Sequence, residues 1–132
     1  MLDVNGIDCY YGQFQALDNI SMTVNEKELV MILGPNGHGK STLLKNISGL
    51  LKPKIGKIHY HGKDITYVSS NKIVEMGITY VAEERHLFGE MSVLDNLYLG
   101  AYNKNARQNE KENLKNVFEM FPKLDDMRNR SA

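Results

Sequence analysis

Nine consecutive residues, Gly34-Pro35-Asn36-Gly37-His38-Gly39-Lys40-Ser41-Thr42, are the part of this sequence best suited to chemistry. They fit the pattern G-x-x-x-x-G-K-[ST], in which each residue type has a physical task. Glycines let a short loop curl until successive backbone N–H groups face one point, making a concave donor site for an anion. A helix beginning where the loop ends adds its positive terminus. The ammonium of Lys40 would reach the outer phosphates of a nucleotide, and the hydroxyl of Ser41 would ligate a magnesium ion bridging them. An ordinary glycine-rich turn is the alternative, and the flanking segments weigh against it.

Those flanks must position the loop. Leu29-Val30-Met31-Ile32-Leu33 reads as a fully buried strand leading in, and Leu43-Leu44-Lys45-Asn46-Ile47 as a helix leading out. Upstream, residues 2–10 and 20–25 carry alternating or β-favouring residues around turn signals at Asn5-Gly6 and Gly12, which predicts an antiparallel strand layer. Tyr10 and Tyr11 are neighbours, so on a strand they face opposite ways and only one can look toward a ligand. Downstream, Gly49-Leu50 with Lys52-Pro53 stops the helix, and residues 56–63 return to the antiparallel layer. Residues 68–76 read as a short helix closed by Gly77, and residues 78–82 as a short apolar strand ending at Glu83-Glu84-Arg85.

Beyond Gly89, Ser92-Val93-Leu94-Asp95 is a capping pattern ahead of Leu97, Leu99 and Tyr102. Leu114, Val117, Phe118 and Phe121 then recur at helical spacing up to Pro122. The polar intervals 103–111 and 123–132 read as a solvated loop and a frayed end. His59 and His61 share one face of the expected strand, but with no third ligand they read as an exposed pair, not a metal site.

Composition narrows the partners. The chain has 132 residues, enough for one core, and its 16 basic residues balance its 16 acidic ones. Zero net charge gives no footprint for non-specific nucleic-acid binding, so no nucleic-acid partner is expected. The single Cys9 cannot form an internal disulfide and suits the cytosol. No apolar stretch approaches the roughly 18 residues of a membrane span, so a membrane role would come through a partner.

In order and spacing these segments resemble an ATP-binding-cassette (ABC) ATPase, and more narrowly the ATP-binding subunit of bacterial branched-chain amino acid importers. The resemblance is carried by Tyr10-Tyr11-Gly12 with Ala16-Leu17, the loop at residues 34–42, Ile47-Ser48-Gly49-Leu50 with Pro53, Gly62-Lys63-Asp64-Ile65-Thr66, Gly77-Ile78 with Val81, and Gly100-Ala101-Tyr102. It implies an α/β phosphate-loop NTPase fold: an antiparallel β layer and an incomplete parallel core sheet over residues 1–90, then the start of a helical subdomain over residues 91–132. It also implies ATP and Mg2+ as cofactors, membrane-spanning permease subunits and a second ATPase subunit, the same or different, as partners, and a cytoplasmic place on the inner face of the cell membrane.

Residue by residue, the resemblance puts Tyr11 beneath the adenine ring, with a core-packed tyrosine as the alternative. Gly34, Pro35, Asn36, Gly37, His38, Gly39, Lys40, Ser41 and Thr42 surround the phosphates, with Lys40 catalytic and Ser41 on the metal. Glu83, by the same resemblance a second catalytic residue, stands where most of the superfamily has a glutamine near magnesium and the attacking water. The carboxylate either approaches the metal or pairs with Arg85 or Lys40. His38 stands where the family usually has a small residue, and its imidazole is expected to point away from the phosphates.

The family's second set of parts, a Leu-Ser-Gly-Gly-Gln signature, an apolar strand ending in Asp-Glu and a switch histidine, does not occur in these residues. The resemblance therefore spans the N-terminal half of a subunit, which is expected to hold nucleotide without turning it over. A fragment of this kind should expose apolar edge around residues 30–33 and 78–81 and be weakly stable or self-associating. Another phosphate-loop enzyme, such as a small kinase, would need a cluster of lid arginines that the sequence does not show.

Overall fold

A ten-residue and an eleven-residue strand start the chain, β1 (Leu2–Tyr11) and β2 (Phe14–Val24), joined across Gly12 as an antiparallel hairpin. In this computed structural model, which describes residues 1–84 and 86–132, the chain divides into two compact units, Met1–Tyr80 and Val81–Ala132. β3 (Ile55–Tyr60) pairs with the other edge of β1, and the two-residue β4 (Lys63–Asp64) extends the sheet to the order β2-β1-β3-β4, antiparallel throughout.

Asn5-Gly6, expected as a turn, instead lies inside β1, where the register shifts against both neighbours. A bulge fits because Gly6 takes φ 55°, a conformation costly for other residues. The distortion lets β3 come close: a Cβ on Gly56 would strike the carbonyls of Asn5 and Gly6.

Helix α1 (Lys40–Ile47) and helix α2 (Ser70–Glu75) complete this unit. Leu43 and Ile47 from α1 and Ile73 from α2 join Val4, Ile7, Cys9, Leu17, Ile58 and Ile65 in one buried cluster. Each such aliphatic side chain contributes about 1.5–3 kcal/mol on leaving water, so this cluster holds the layer together. At the rim, Asp64 accepts from the backbone and hydroxyl of Thr66 and lies 3.2 Å from Lys57 Nζ. Those hydrogen bonds, the Thr66 hydroxyl first, draw its carboxyl down to about 2.

Residues 29–33 form no strand, and no parallel ladder exists among the described residues. The segment is at most half-buried, and on one side only. Leu29, Met31 and Leu33 are 92%, 73% and 82% exposed, whereas Ile32 packs on the core. The expectation of full burial fails because no neighbouring strand lies alongside to take up its backbone groups. Residues 78–82 are likewise unpaired, with only Ile78 packed on the core of its unit. His61 also departs from the expected strand: it sits past β3 at φ 47°, its ring edge-on to Tyr60 at 4.4 Å, so it does not share a strand face with His59.

The second unit is helical: α3 (Val93–Gly100), α4 (Lys104–Gln108), α5 (Glu110–Met120) and α6 (Pro122–Asp126). Ser92 caps α3, its Oγ accepting from Asp95 N at 3.0 Å. The interval 103–111 contains α4, because Asn103 Oδ1 caps it by accepting from Ala106 N. The C-terminal stretch is tied down too: the carbonyls of Arg128 and Arg130 accept from Leu94 N and Val93 N, supplying partners for two of the first N–H groups of α3. No helix among the described residues is long and apolar enough to cross a membrane.

Candidate functional site

The loop at residues 34–39 is placed by the helix into which it runs. α1 begins at Lys40, and Gly39 caps it in the left-handed region at φ 82°. A Cβ there would stand 2.7 Å from both Ala16 O and Leu17 Cδ2, so glycine is required twice, for conformation and for contact with β2. Once Gly39 is seated, Thr42, Leu43, Asn46 and Ile47 are buried and Ser41 stays exposed. Asn46 Nδ2 donates to Thr42 O one turn back at 2.8 Å, which stiffens the first turns of the helix.

Within the loop, donors and acceptors are sorted. Lys40 Nζ donates to Gly34 O and Pro35 O, each at 2.7 Å. His38 Nδ1 lies 3.1 Å from Asn36 O. Three consecutive carbonyls are thus satisfied by side chains of the same loop. Among the described residues, none of the backbone N–H groups from Gly37 through Ser41 donates to a protein acceptor. The result is a run of available donors at a helix start beside a lysine, an arrangement suited to a polyanion.

Magnesium usually keeps several waters and takes only one or two protein oxygens alongside substrate phosphates. The exposed Ser41 hydroxyl, next to Lys40 and the free amides, meets that need. Among the described residues no group of three or more His, Cys, Asp or Glu is arranged to hold a metal by itself. The residues therefore fit a metal brought with phosphates.

Tyr11 is 47% exposed, and its hydroxyl lies 3.5 Å from Thr42 Oγ1. Its ring is accessible, and it is tethered to the loop helix. Tyr10, on the opposite face, is half-buried beneath Lys54, whose Nζ stands 4.8 Å from the ring centroid. Neither tyrosine is fully buried, so the core-packed alternative for Tyr11 does not hold. Glu83 is exposed and belongs to the second unit, and Arg85, its proposed ion partner, lies outside the described residues. Lys40, the other suggested partner, bonds loop carbonyls.

The Tyr11–Thr42 tether and the seating of Gly39 on β2 are not among the features expected from sequence. Only the tether has a readable clue, the hydroxyls at residues 11 and 42, and their meeting depends on strand register. The donor sorting is half legible, since Lys40 is expected to reach outward and is seen folded onto the loop.

A sequence model of the family described as ABC transporter matches residues 17–132. The chain belongs to the ABC transporter family. It is 39% identical over 103 residues to a probable branched-chain amino acid transport ATP-binding protein, LivG, of Methanocaldococcus jannaschii, covering 78% of this chain and 40% of that protein. It is 34% identical over 124 residues to the high-affinity branched-chain amino acid transport ATP-binding protein BraG of Pseudomonas aeruginosa, covering 94% and 53%. A galactose/methyl galactoside import ATP-binding protein, MglA, of Escherichia coli O157:H7 is 38% identical over 102 residues, covering 77% and 20%. Among solved structures, a nucleotide-free ATP-binding cassette from an ABC transporter superposes with TM-score 0.83 at 34% identity, covering all of this chain and 57% of that one. An ABC cassette in its ADP conformation gives TM-score 0.79 at 32% identity, covering 100% and 57%. The chain thus spans about half the length, or less, of these family members. The phosphate-loop NTPase fold class expected from the sequence agrees with these cassettes.

Proposed function

We propose that this chain is the phosphate-loop portion of the ATP-binding subunit of an ABC importer, and that the complete subunit couples ATP binding and hydrolysis to uptake. The observation that carries the reading is the sorted loop, with carbonyls tied back by Lys40 and His38 and amides left available from Gly37 to Ser41. In binding, Lys40 exchanges its two carbonyl acceptors for phosphate oxygens, a stronger charge-assisted contact. Ser41 offers its hydroxyl to magnesium, which when bound neutralises phosphate charge. The exposed ring of Tyr11 stacks beneath the base, adding about 1–3 kcal/mol by analogy with aromatic–base stacking.

Glu83 approaches the metal or its waters in the complete subunit, a role supported by its sequence position alone. Turnover needs a general base and a second subunit's signature, and neither sequence motif occurs in these residues. By themselves, residues 1–132 bind nucleotide without hydrolysing it. Membrane-spanning permease subunits and a second ATPase subunit are the partners, on the cytoplasmic side of the membrane.

The names of two relatives favour branched-chain amino acids as the solute, while the name of a third favours a sugar. Uptake of labelled leucine and of labelled galactose, measured in cells whose intact gene carries Lys40→Ala, tests this. Loss of leucine uptake alone supports the branched-chain reading, loss of galactose uptake alone replaces it with a sugar importer, and loss of neither contradicts both.

A further inference from the structure

His38 brings the one imidazole into the loop, and the structure gives it a defined contact. Its ring nitrogen Nδ1 stands 3.1 Å from the carbonyl oxygen of Asn36, two residues back. A carbonyl oxygen can only accept, so the contact is a hydrogen bond in the tautomer that carries its hydrogen on Nδ1. The contact completes a series: Gly34 O and Pro35 O are held by Lys40 Nζ, and Asn36 O by the imidazole. Without that donor, the Asn36 carbonyl would be the one of the three held by no side chain. A carbonyl turned toward the Gly37 to Ser41 amides would repel phosphate and occupy donors meant for it.

Lys40 and His38 also differ in what happens on binding. Lys40 must leave its carbonyls to meet a phosphate. His38 has no such competing task, because its side chain is exposed and its contact lies within the loop's own backbone. The constraint on Asn36 can therefore persist while Lys40 exchanges partners.

We infer that His38 is a positioning residue for the phosphate loop, its Nδ1–H holding the Asn36 carbonyl turned out so that the anion-binding amides are organised before nucleotide arrives. The inference rests on the reading of the loop as a nucleotide site. Its effect is on affinity, through the cost of ordering the loop, and it adds no contact to the ligand.

Calorimetric titration of the purified chain with magnesium–ADP provides the test, using His38→Ala, His38→Phe and His38→Asn beside Lys40→Ala. Alanine removes the donor and the ring, phenylalanine keeps a ring without a donor, and asparagine places an amide N–H where Nδ1 stood. The expected result is about a threefold to tenfold weakening for the alanine and phenylalanine variants, the range of one net hydrogen bond, with asparagine close to the parent. Nitrogen-15 chemical shifts of the parent should show the Nδ1–H tautomer in the neutral ring. Parent-like binding by His38→Ala or His38→Phe, weakening by His38→Asn as large as by alanine, or a dominant Nε2–H tautomer would overturn the inference. A Lys40→Ala variant that binds as the parent does would instead sink the nucleotide reading on which it rests, so the two failures are separate.

Discussion

β1 and residues 29–33 are both rich in aliphatic side chains, yet they end up in opposite situations. In β1, Val4 and Ile7 are 1% and 0% exposed, while in the second segment Leu29 is 92% exposed and Leu33 82%. The difference is not hydrophobicity. β1 has β2 on one edge and β3 on the other, with α1 and α2 side chains over its inner face. Residues 29–33 have no strand on either edge among the described residues. An apolar run becomes a buried strand only when something pairs with its backbone and something else covers its apolar face.

Side-chain truncation breaks or sharpens this contrast most strongly. Ile58→Ala, at a site 1% exposed, should cost about 2–5 kcal/mol in urea unfolding, whereas Leu33→Ala should stay within about 0.5 kcal/mol. Equal costs would mean that the second segment is buried after all. A smaller effect comes from Gly56→Ala, which puts a Cβ against the Asn5 and Gly6 carbonyls at φ 89°. It should cost on the order of 1–3 kcal/mol, and an unchanged unfolding midpoint would show that the β1 bulge does not need this close approach.

The smallest effect lies at the rim of the layer. Asp64 has its carboxyl held down from 3.8 to about 2 by Thr66 and Lys57, so its contribution is present above about pH 4 and is lost as pH falls toward 2. Asp64→Asn should lower stability at neutral pH and flatten the acid limb of the curve between those values. An unchanged acid limb would show that the Thr66 contacts do not form in solution.

Much of the molecule is legible in the sequence because it is local. The phosphate loop, the stop at Gly49-Leu50, the hairpin across Gly12 and the Ser92 cap all depend on residues within a few positions of one another. The Asn5-Gly6 bulge reads as a turn, since the same dipeptide serves both and only the register with β3 decides. Residues 29–33 and 78–82 read as strands from apolar content, which does not reveal whether a partner strand is within reach. α4 escapes a reading by pattern because a polar five-residue helix has no apolar period, and its Asn103 cap is the only signal. At the site, type and spacing mark the loop as the candidate, but the sorting of its groups into tied carbonyls and free amides depends on side-chain conformations that no pattern encodes.

Central to the proposed function is the proposal that the free amides and Lys40 of this loop bind nucleotide phosphates. The most direct measurement is the affinity of the purified chain for magnesium–ATP, compared with Lys40→Ala and checked for equal folding by circular dichroism. Saturable binding by the parent is expected, with at least about a tenfold loss in the variant, the effect of removing one charge-assisted contact. Binding of equal strength in the two folded proteins, or none in either, would contradict it.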